Sequence, residues 1–182
     1  MKYNVDKVKK RSKANDVFIT PLKLSQKQIK MIDSNDDDIW FDPFKNNGSY
    51  YDQFPIFSKN NLLNYSVLDF YNSRHEWTEI LQNKDFFKFN EKVDIICSNP
   101  PYSLMDKILE KSVALNPRVI SYLIGVNNLT AKRIEYMENN GYGLKKIHMC
   151  KVWKWFGMSF IVQFEKGEKS CMSFDRIVWR ED

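Results

Sequence analysis

Residues 93–102 constrain this chain more than any other stretch. Val93-Asp94-Ile95-Ile96-Cys97 is a β-branched run between polar residues, the pattern of a buried strand. Ser98-Asn99-Pro100-Pro101-Tyr102 follows at once. Two successive prolines have no N–H to give a ladder, so the strand must leave the sheet there. Each residue before a proline is pushed toward extended backbone, which stiffens both Asn99 and Pro100. Ser103 then reads as a helix N-cap with Asp106 three residues on, and Leu104, Ile108, Leu109 and Val113 form an apolar stripe. Asn116-Pro117 ends that helix.

The same reading extends along the chain. Residues 23–32 carry Leu24, Gln28 and Ile32 at helical spacing with Ile29 beside them, and predict a helix. Ile39-Trp40-Phe41 is a short strand candidate stopped by Asp42-Pro43, and Asn46-Asn47-Gly48-Ser49 is a turn. Residues 56–75 fit helix and loop equally, and 77–80 read as another short strand. Residues 119–126 predict a strong strand, and 130–140 a helix closed by Gly141. Residues 146–151 and 158–164 predict strands, the second ended by Glu165-Lys166-Gly167. Strand and helix in alternation imply an α/β fold, a mostly parallel sheet with helices on both faces. The last two strands have no long helix between them, so they predict an antiparallel hairpin at the sheet edge. Ligands of such sheets sit at the carboxyl ends of the strands, where Asp42, Glu79 and Asn99 all fall.

Charge is unevenly placed. The net +5 equals the excess of residues 1–15, where Lys2, Lys7, Lys9, Lys10, Arg11 and Lys13 face only Asp6. Residues 1–15 are thus expected to be a flexible basic arm, and 16–182 one domain. A solvated tail and a phosphate-seeking arm fit that composition equally. A second basic stretch, Lys145, Lys146, Lys151 and Lys154, is interleaved with Trp153, Trp155 and Phe156, and Asp36-Asp37-Asp38 is an acidic run. No stretch approaches the roughly 20 apolar residues of a membrane span, and no apolar run follows the basic start as a signal peptide requires. Cys97, Cys150 and Cys171 are scattered, and His75 and His148 are the only histidines, so neither a disulfide framework nor a zinc cluster is expected. That usage suits a reducing intracellular compartment.

The corner at 99–102 has a definite chemistry. Pro100 and Pro101 donate nothing, while their carbonyls and the Asn99 side-chain oxygen accept. Two convergent acceptors suit an amino group with two hydrogens, and Tyr102 offers a flat face for a ring. A strand-ending turn with Asn99 as a local cap is the plain alternative.

Residues 94–102 also resemble the catalytic motif of the S-adenosylmethionine-dependent amino-methyltransferases, above all the adenine-N6 type. Other motifs of that family follow in order over roughly residues 16–168. Val17-Phe18-Ile19-Thr20-Pro21 resembles the segment that folds over the methionine end of the cofactor. Trp40-Phe41-Asp42-Pro43-Phe44-Lys45-Asn46-Asn47-Gly48-Ser49 resembles the first-strand loop, with Asn46 where the family has its first glycine. Lys84-Asp85-Phe86-Phe87 resembles the segment that grips the cofactor's adenine, and Trp155-Phe156-Gly157-Met158-Ser159-Phe160 the late motif facing the target base.

The resemblance implies a Rossmann-like class I methyltransferase domain with S-adenosylmethionine as cofactor and no metal. It implies Asn99, Pro100, Pro101 and Tyr102 as catalytic residues. Phe18, Thr20, Pro21, Asp42, Pro43, Phe44, Gly48, Asp85, Phe86 and Asn99 would contact the cofactor. Glu79 is favoured over Asp69 for the ribose. Tyr102, Phe156, Lys154 and, less directly, Trp155 would meet the substrate. Adenine N6 in DNA is the implied acceptor; adenine in RNA, protein glutamine, or a non-catalytic scaffold are the alternatives. No added target-recognition domain is evident, which implies low specificity, a short target, or a specificity partner protein.

Overall fold

The structure is a computed structural model and describes residues 18–55, 86–153, 155 and 157–176. Residues 1–17 and 56–85 lie outside that description, and with them the basic arm and the reading of 77–80.

Eight regular elements carry the fold among the described residues. They are α1 (Leu22–Lys30), β1 (Trp40–Phe41), β2 (Ile95–Ser98), α2 (Met105–Ala114), β3 (Val119–Gly125), α3 (Ala131–Asn139), β4 (Tyr142–Cys150) and β5 (Ser159–Lys166). The strands form one sheet in the order β1-β2-β3-β5-β4. β1 pairs parallel with β2, and β2 with β3. β5 is antiparallel to both β3 and β4, so it alone runs against the rest. The chain is thus a mostly parallel α/β sheet closed by an antiparallel edge hairpin, as the sequence pattern implies.

Alternation along the strands sorts side chains onto two faces. Phe41, Ile96, Ile120, Tyr122 and Ile124 point to one face and pack with Met105, Ile108 and Leu109 of α2 and Ile134 and Met137 of α3. Trp40, Ile95, Cys97 and Val119 point to the other and pack with Ile29, Ile32, Tyr50 and Phe54. Helical residues therefore cover both faces, but unequally. On the second face buried Gln28 of α1 donates from Nε2 to Ser121 Oγ of β3 at 3.1 Å, so part of that contact is polar.

Several local signals act as the sequence suggests. Thr130 caps α3 by accepting the Arg133 N–H, Gly141 closes it at φ +83°, and Asn116 takes φ +57° after α2. One is corrected. Ser103 does not cap α2: residues Tyr102–Leu104 form a single 3₁₀ turn and Leu104 is the N-cap, without a side-chain cap bond. Pro101 sets this up, because its carbonyl accepts the Leu104 N–H at 3.3 Å and winds the chain one residue earlier than a capping box allows. The acidic run is also divided. Asp38 is buried against Arg118 while Asp36 and Asp37 are exposed.

After β5 the chain folds back over the edge of the hairpin. Ser170 Oγ accepts the Leu144 N–H at 2.9 Å, and Cys171 N–H donates to Leu144 O at 2.8 Å. Gly143 permits this approach, since a Cβ there would lie 2.3 Å from the Glu168 carbonyl oxygen. Gly143→Ala should therefore destabilise the protein by about 1–3 kcal/mol through the forced backbone shift. Urea denaturation of the variant, with an unchanged midpoint, would show that the tail does not pack here.

Candidate functional site

Adjacent parallel strands end together at the site. β1 runs into Asp42 and β2 ends at Ser98, with Phe41 and Ile96 in register. The Ser98 hydroxyl donates to Asp42 Oδ1 at 2.5 Å, and the same oxygen accepts the Phe44 N–H at 3.1 Å. The second bond is the i to i+2 link of an Asx turn, and Pro43 between them suits its backbone. Asp42 Oδ2 is buried and has no hydrogen-bond partner among the described residues. Burial raises the carboxyl to about 6, against the downward pull of the Ser98 hydroxyl, the Phe44 N–H and the nearby Lys45 charge.

The following loop turns back on itself through two left-handed residues. Asn46 stands at φ +47° and Gly48 at φ +84°. Asn visits that region more readily than other non-glycine residues, so Asn46 holds the turn where the resembling family has glycine. Any other residue at Gly48 is strained by its φ of +84°, and its Cβ would also push the Asp52 carboxylate aside. Gly48 N–H closes the turn on Lys45 O at 2.8 Å, and Lys45 Nζ lies 4.4 Å above the Tyr51 ring.

Asn99 sits beyond β2 with its side-chain amide held from one end. Nδ2 donates to the Phe18 carbonyl at 3.0 Å and to Thr20 Oγ1 at 3.2 Å. Its Oδ1 is buried and unpartnered among the described residues. Pro100 and Pro101 are buried beside it, and Tyr102 is half-buried. The Phe18 ring stacks on Tyr102 at 5.7 Å between centroids and 22° between planes. Trp155 packs against the far part of Phe18 at 5.2 Å, tilted by 57°. Lys151 orders that last loop, because Nζ donates to the carbonyls of Trp155 and Gly157, each at 2.6 Å.

The structure thus brings Phe18, Thr20, Asp42, Pro43, Phe44, Gly48, Asn99, Pro100, Pro101, Tyr102 and Trp155 to the same end of the sheet, with Pro21 exposed at the start of α1. Phe86 is buried beside Phe41 and Phe44, its ring edge-on to Phe44 at 5.5 Å. Asp69, Glu79, Asp85, Lys154 and Phe156 lie outside the described residues. The basic stretch is less open than the sequence suggests. Lys145 pairs with Glu168, Lys146 with Asp33, and Lys151 with backbone carbonyls.

Sequence reasoning passed over Ser98, Tyr50 and Gln28. Ser98 is the residue that joins the two strand ends. Tyr50 OH donates to Gln28 Oε1 at 2.7 Å behind Thr20. A signal for Gln28 was present: it stands in the apolar stripe Leu24, Gln28, Ile32, where a polar side chain must find partners.

No protein-family model matches the chain, and no curated protein matches it. Among solved structures, M. jannaschii TYW2 in complex with AdoMet is similar over 80% of this chain and 75% of that chain, at 15% identity and a TM-score of 0.46.

Asp42 makes the site's charge pH-dependent. A folded-state pKa raised from 3.8 to about 6 means that the folded chain holds this proton more tightly than the unfolded chain. That contribution is full below about pH 4 and is lost as pH rises through 6. Asp42→Asn, which keeps an oxygen for Ser98 and Phe44, should raise stability at pH 7–8 by up to about 3 kcal/mol, with no gain at pH 4. Denaturation at the two pH values checks this; an equal effect at both would refute it.

Proposed function

We propose that this chain transfers a methyl group from S-adenosylmethionine to the exocyclic N6 of adenine in DNA. The observation that carries this reading is the Asn99 side-chain oxygen. It is buried, without a partner among the described residues, and fixed in orientation next to a proline pair that can only accept. A buried acceptor without a donor costs about 1–3 kcal/mol, so its retention at a strand end fits an incoming N–H.

The residues present fit the cofactor. Asp42 Oδ2 is a buried carboxylate oxygen at the end of β1 without a partner among the described residues, suited to the cationic methionyl part. The left-handed turn at Asn46 and Gly48 follows it, and Phe44 gives a partly exposed aromatic face with Phe86 buried behind it. When bound, S-adenosylmethionine supplies an electrophilic methyl on a sulfonium centre.

The chain's own part is to prepare the amine. An adenine amino nitrogen is a weak nucleophile because its lone pair is delocalised into the ring. Asn99 Oδ1 and the Pro100 carbonyl accept its two N–H groups and favour a pyramidal nitrogen. Positive charge grows on that nitrogen as the bond forms, so acceptors already in place help most in the transition state. Tyr102 holds the base by stacking, with Phe18 and Trp155 forming the aromatic rim. In a duplex the base must first be flipped out, at a cost of a few kcal/mol. The basic arm of residues 1–15 supplies salt-sensitive phosphate attraction.

Radiolabelled cofactor offered to DNA, RNA and protein in parallel, with mass spectrometry of the product, tests the assignment. N6-methyladenine in DNA is expected; label only in RNA or in protein glutamine, or in none of the three, refutes it. Asn99→Ala should lower turnover about 10²–10³-fold while cofactor binding is largely kept. Tyr102→Phe should be milder than Tyr102→Ala.

Cofactor affinity should also fall as Asp42 protonates. Below about pH 6 the loss approaches tenfold per pH unit, because binding a cation beside Asp42 requires its ionised form. Calorimetry between pH 5 and 8 checks the slope, and a flat profile would remove Asp42 from the cofactor site.

A further inference from the structure

We propose that Thr20, backed by Tyr50, is a positioning residue for Asn99, accepting one N–H of its side-chain amide while the Phe18 carbonyl accepts the other. This rests on the reading of Asn99 given above and deepens it.

The direction of these bonds is set at the amide itself. The Phe18 carbonyl can only accept, so the Asn99 atom 3.0 Å from it must be Nδ2. The same Nδ2 lies 3.2 Å from Thr20 Oγ1, which must therefore accept as well. Thr20 has one hydroxyl proton left, and it acts on the Tyr50 phenol, easing its ionisation against the larger opposing effect of burial. Tyr50 in turn donates to Gln28 Oε1 at 2.7 Å. Gln28 is left with its Nε2 end toward Ser121 Oγ at 3.1 Å. Each donor thus points away from the site. Thr20, Tyr50, Gln28 and Ser121 are all at most 5% exposed, so water does not compete for these bonds.

The result is an amide with both N–H groups engaged and its oxygen turned out. Flipping Asn99 would set Oδ1 against the Phe18 carbonyl, which cannot donate, and would force the Thr20 hydroxyl to turn from acceptor to donor. Phe18 and Thr20 together therefore hold Asn99 in the orientation that offers an acceptor to the substrate amine.

Thr20→Val keeps the shape and removes the oxygen; Thr20→Ser keeps the oxygen. In the full-length wild-type chain, the two Asn99 side-chain amide protons, assigned by their disappearance in Asn99→Asp, should exchange slowly by NMR. In Thr20→Val at least one should exchange about tenfold faster. In turnover, Thr20→Val should lower kcat about ten- to hundredfold with KM for the acceptor nearly unchanged, and Thr20→Ser should restore most of it. Tyr50→Phe, which does not touch the site, should shift both readouts in the same direction by a smaller factor. Unchanged Asn99 amide exchange in both Thr20→Val and Tyr50→Phe would overturn the proposal. So would a Thr20→Val variant that binds cofactor poorly at unchanged kcat, which would make Thr20 a cofactor ligand only. A wild-type chain that methylates none of the three acceptors defeats the functional reading instead, and the exchange measurement still decides the role of Thr20.

Discussion

One hydroxyl proton ties the site together. Ser98 donates it to Asp42 across 2.5 Å, joining the carboxyl ends of two parallel strands whose side chains otherwise alternate into opposite cores. The bond consumes one carboxylate oxygen and leaves the other buried without a partner among the described residues. β2 stops beside it, because the next residue is Asn99 and the two after it have no N–H to continue the ladder. Asp42, Asn99 and the proline corner thus share one anchor. A Ser98 without its hydroxyl would free Asp42 to rotate and would loosen the turn that begins at Pro43.

The two faces of the sheet serve different ends. The face covered by α2 and α3 is mainly apolar, with Ile96, Ile108, Ile120 and Met137 fully buried beside a buried polar pair, Ser112 and the Tyr122 hydroxyl. The face under α1 mixes apolar packing with Gln28, Ser25, Ser49, Tyr50 and Ser121. Ser25 Oγ donates to Ser49 O at 2.7 Å, and Gln53 Nε2 reaches Ser25 Oγ at 2.7 Å. Buried polar groups of this kind add little net stability, since each bond replaces one to water. What they add is direction: an apolar contact tolerates small slides, while a satisfied network admits one arrangement. The side of the sheet that must hold Asn99 and the loop 44–53 in register is the side built this way.

Much of the fold was legible. The stripe of Ile108, Leu109 and Val113, the stop at Asn116-Pro117 and the Thr130 to Gly141 helix are local signals, and the elements follow them within one or two residues. Strand lengths were less legible: β4 begins at Tyr142 rather than at 146. A bulge between Leu144 and Lys146 interrupts the alternation there, so the apolar pattern breaks while the hydrogen bonds continue. Ser103 failed as a cap because Pro101 winds the chain early, a competition between two local signals that spacing alone does not rank. The lysines at 145, 146 and 151 form one basic stretch in sequence, yet each is tied within the molecule, and partners such as Glu168 and Asp33 are distant in sequence.

By itself the sequence determined the alternating α/β architecture, the end of β2 just before Asn99 and the acceptor-only character of the corner. Those follow from residue chemistry that no context alters: proline lacks an N–H, and β-branched runs bury as strands. Only the tertiary structure decided which way the Asn99 amide faces, that one Asp42 oxygen has no partner among the described residues, and that Phe18 stacks on Tyr102. Each depends on a partner far along the chain, with Phe18 and Asn99 81 positions apart and Asp42 and Ser98 56. A side chain's hydrogen-bonding direction is set by what surrounds it in space, and sequence order does not carry that.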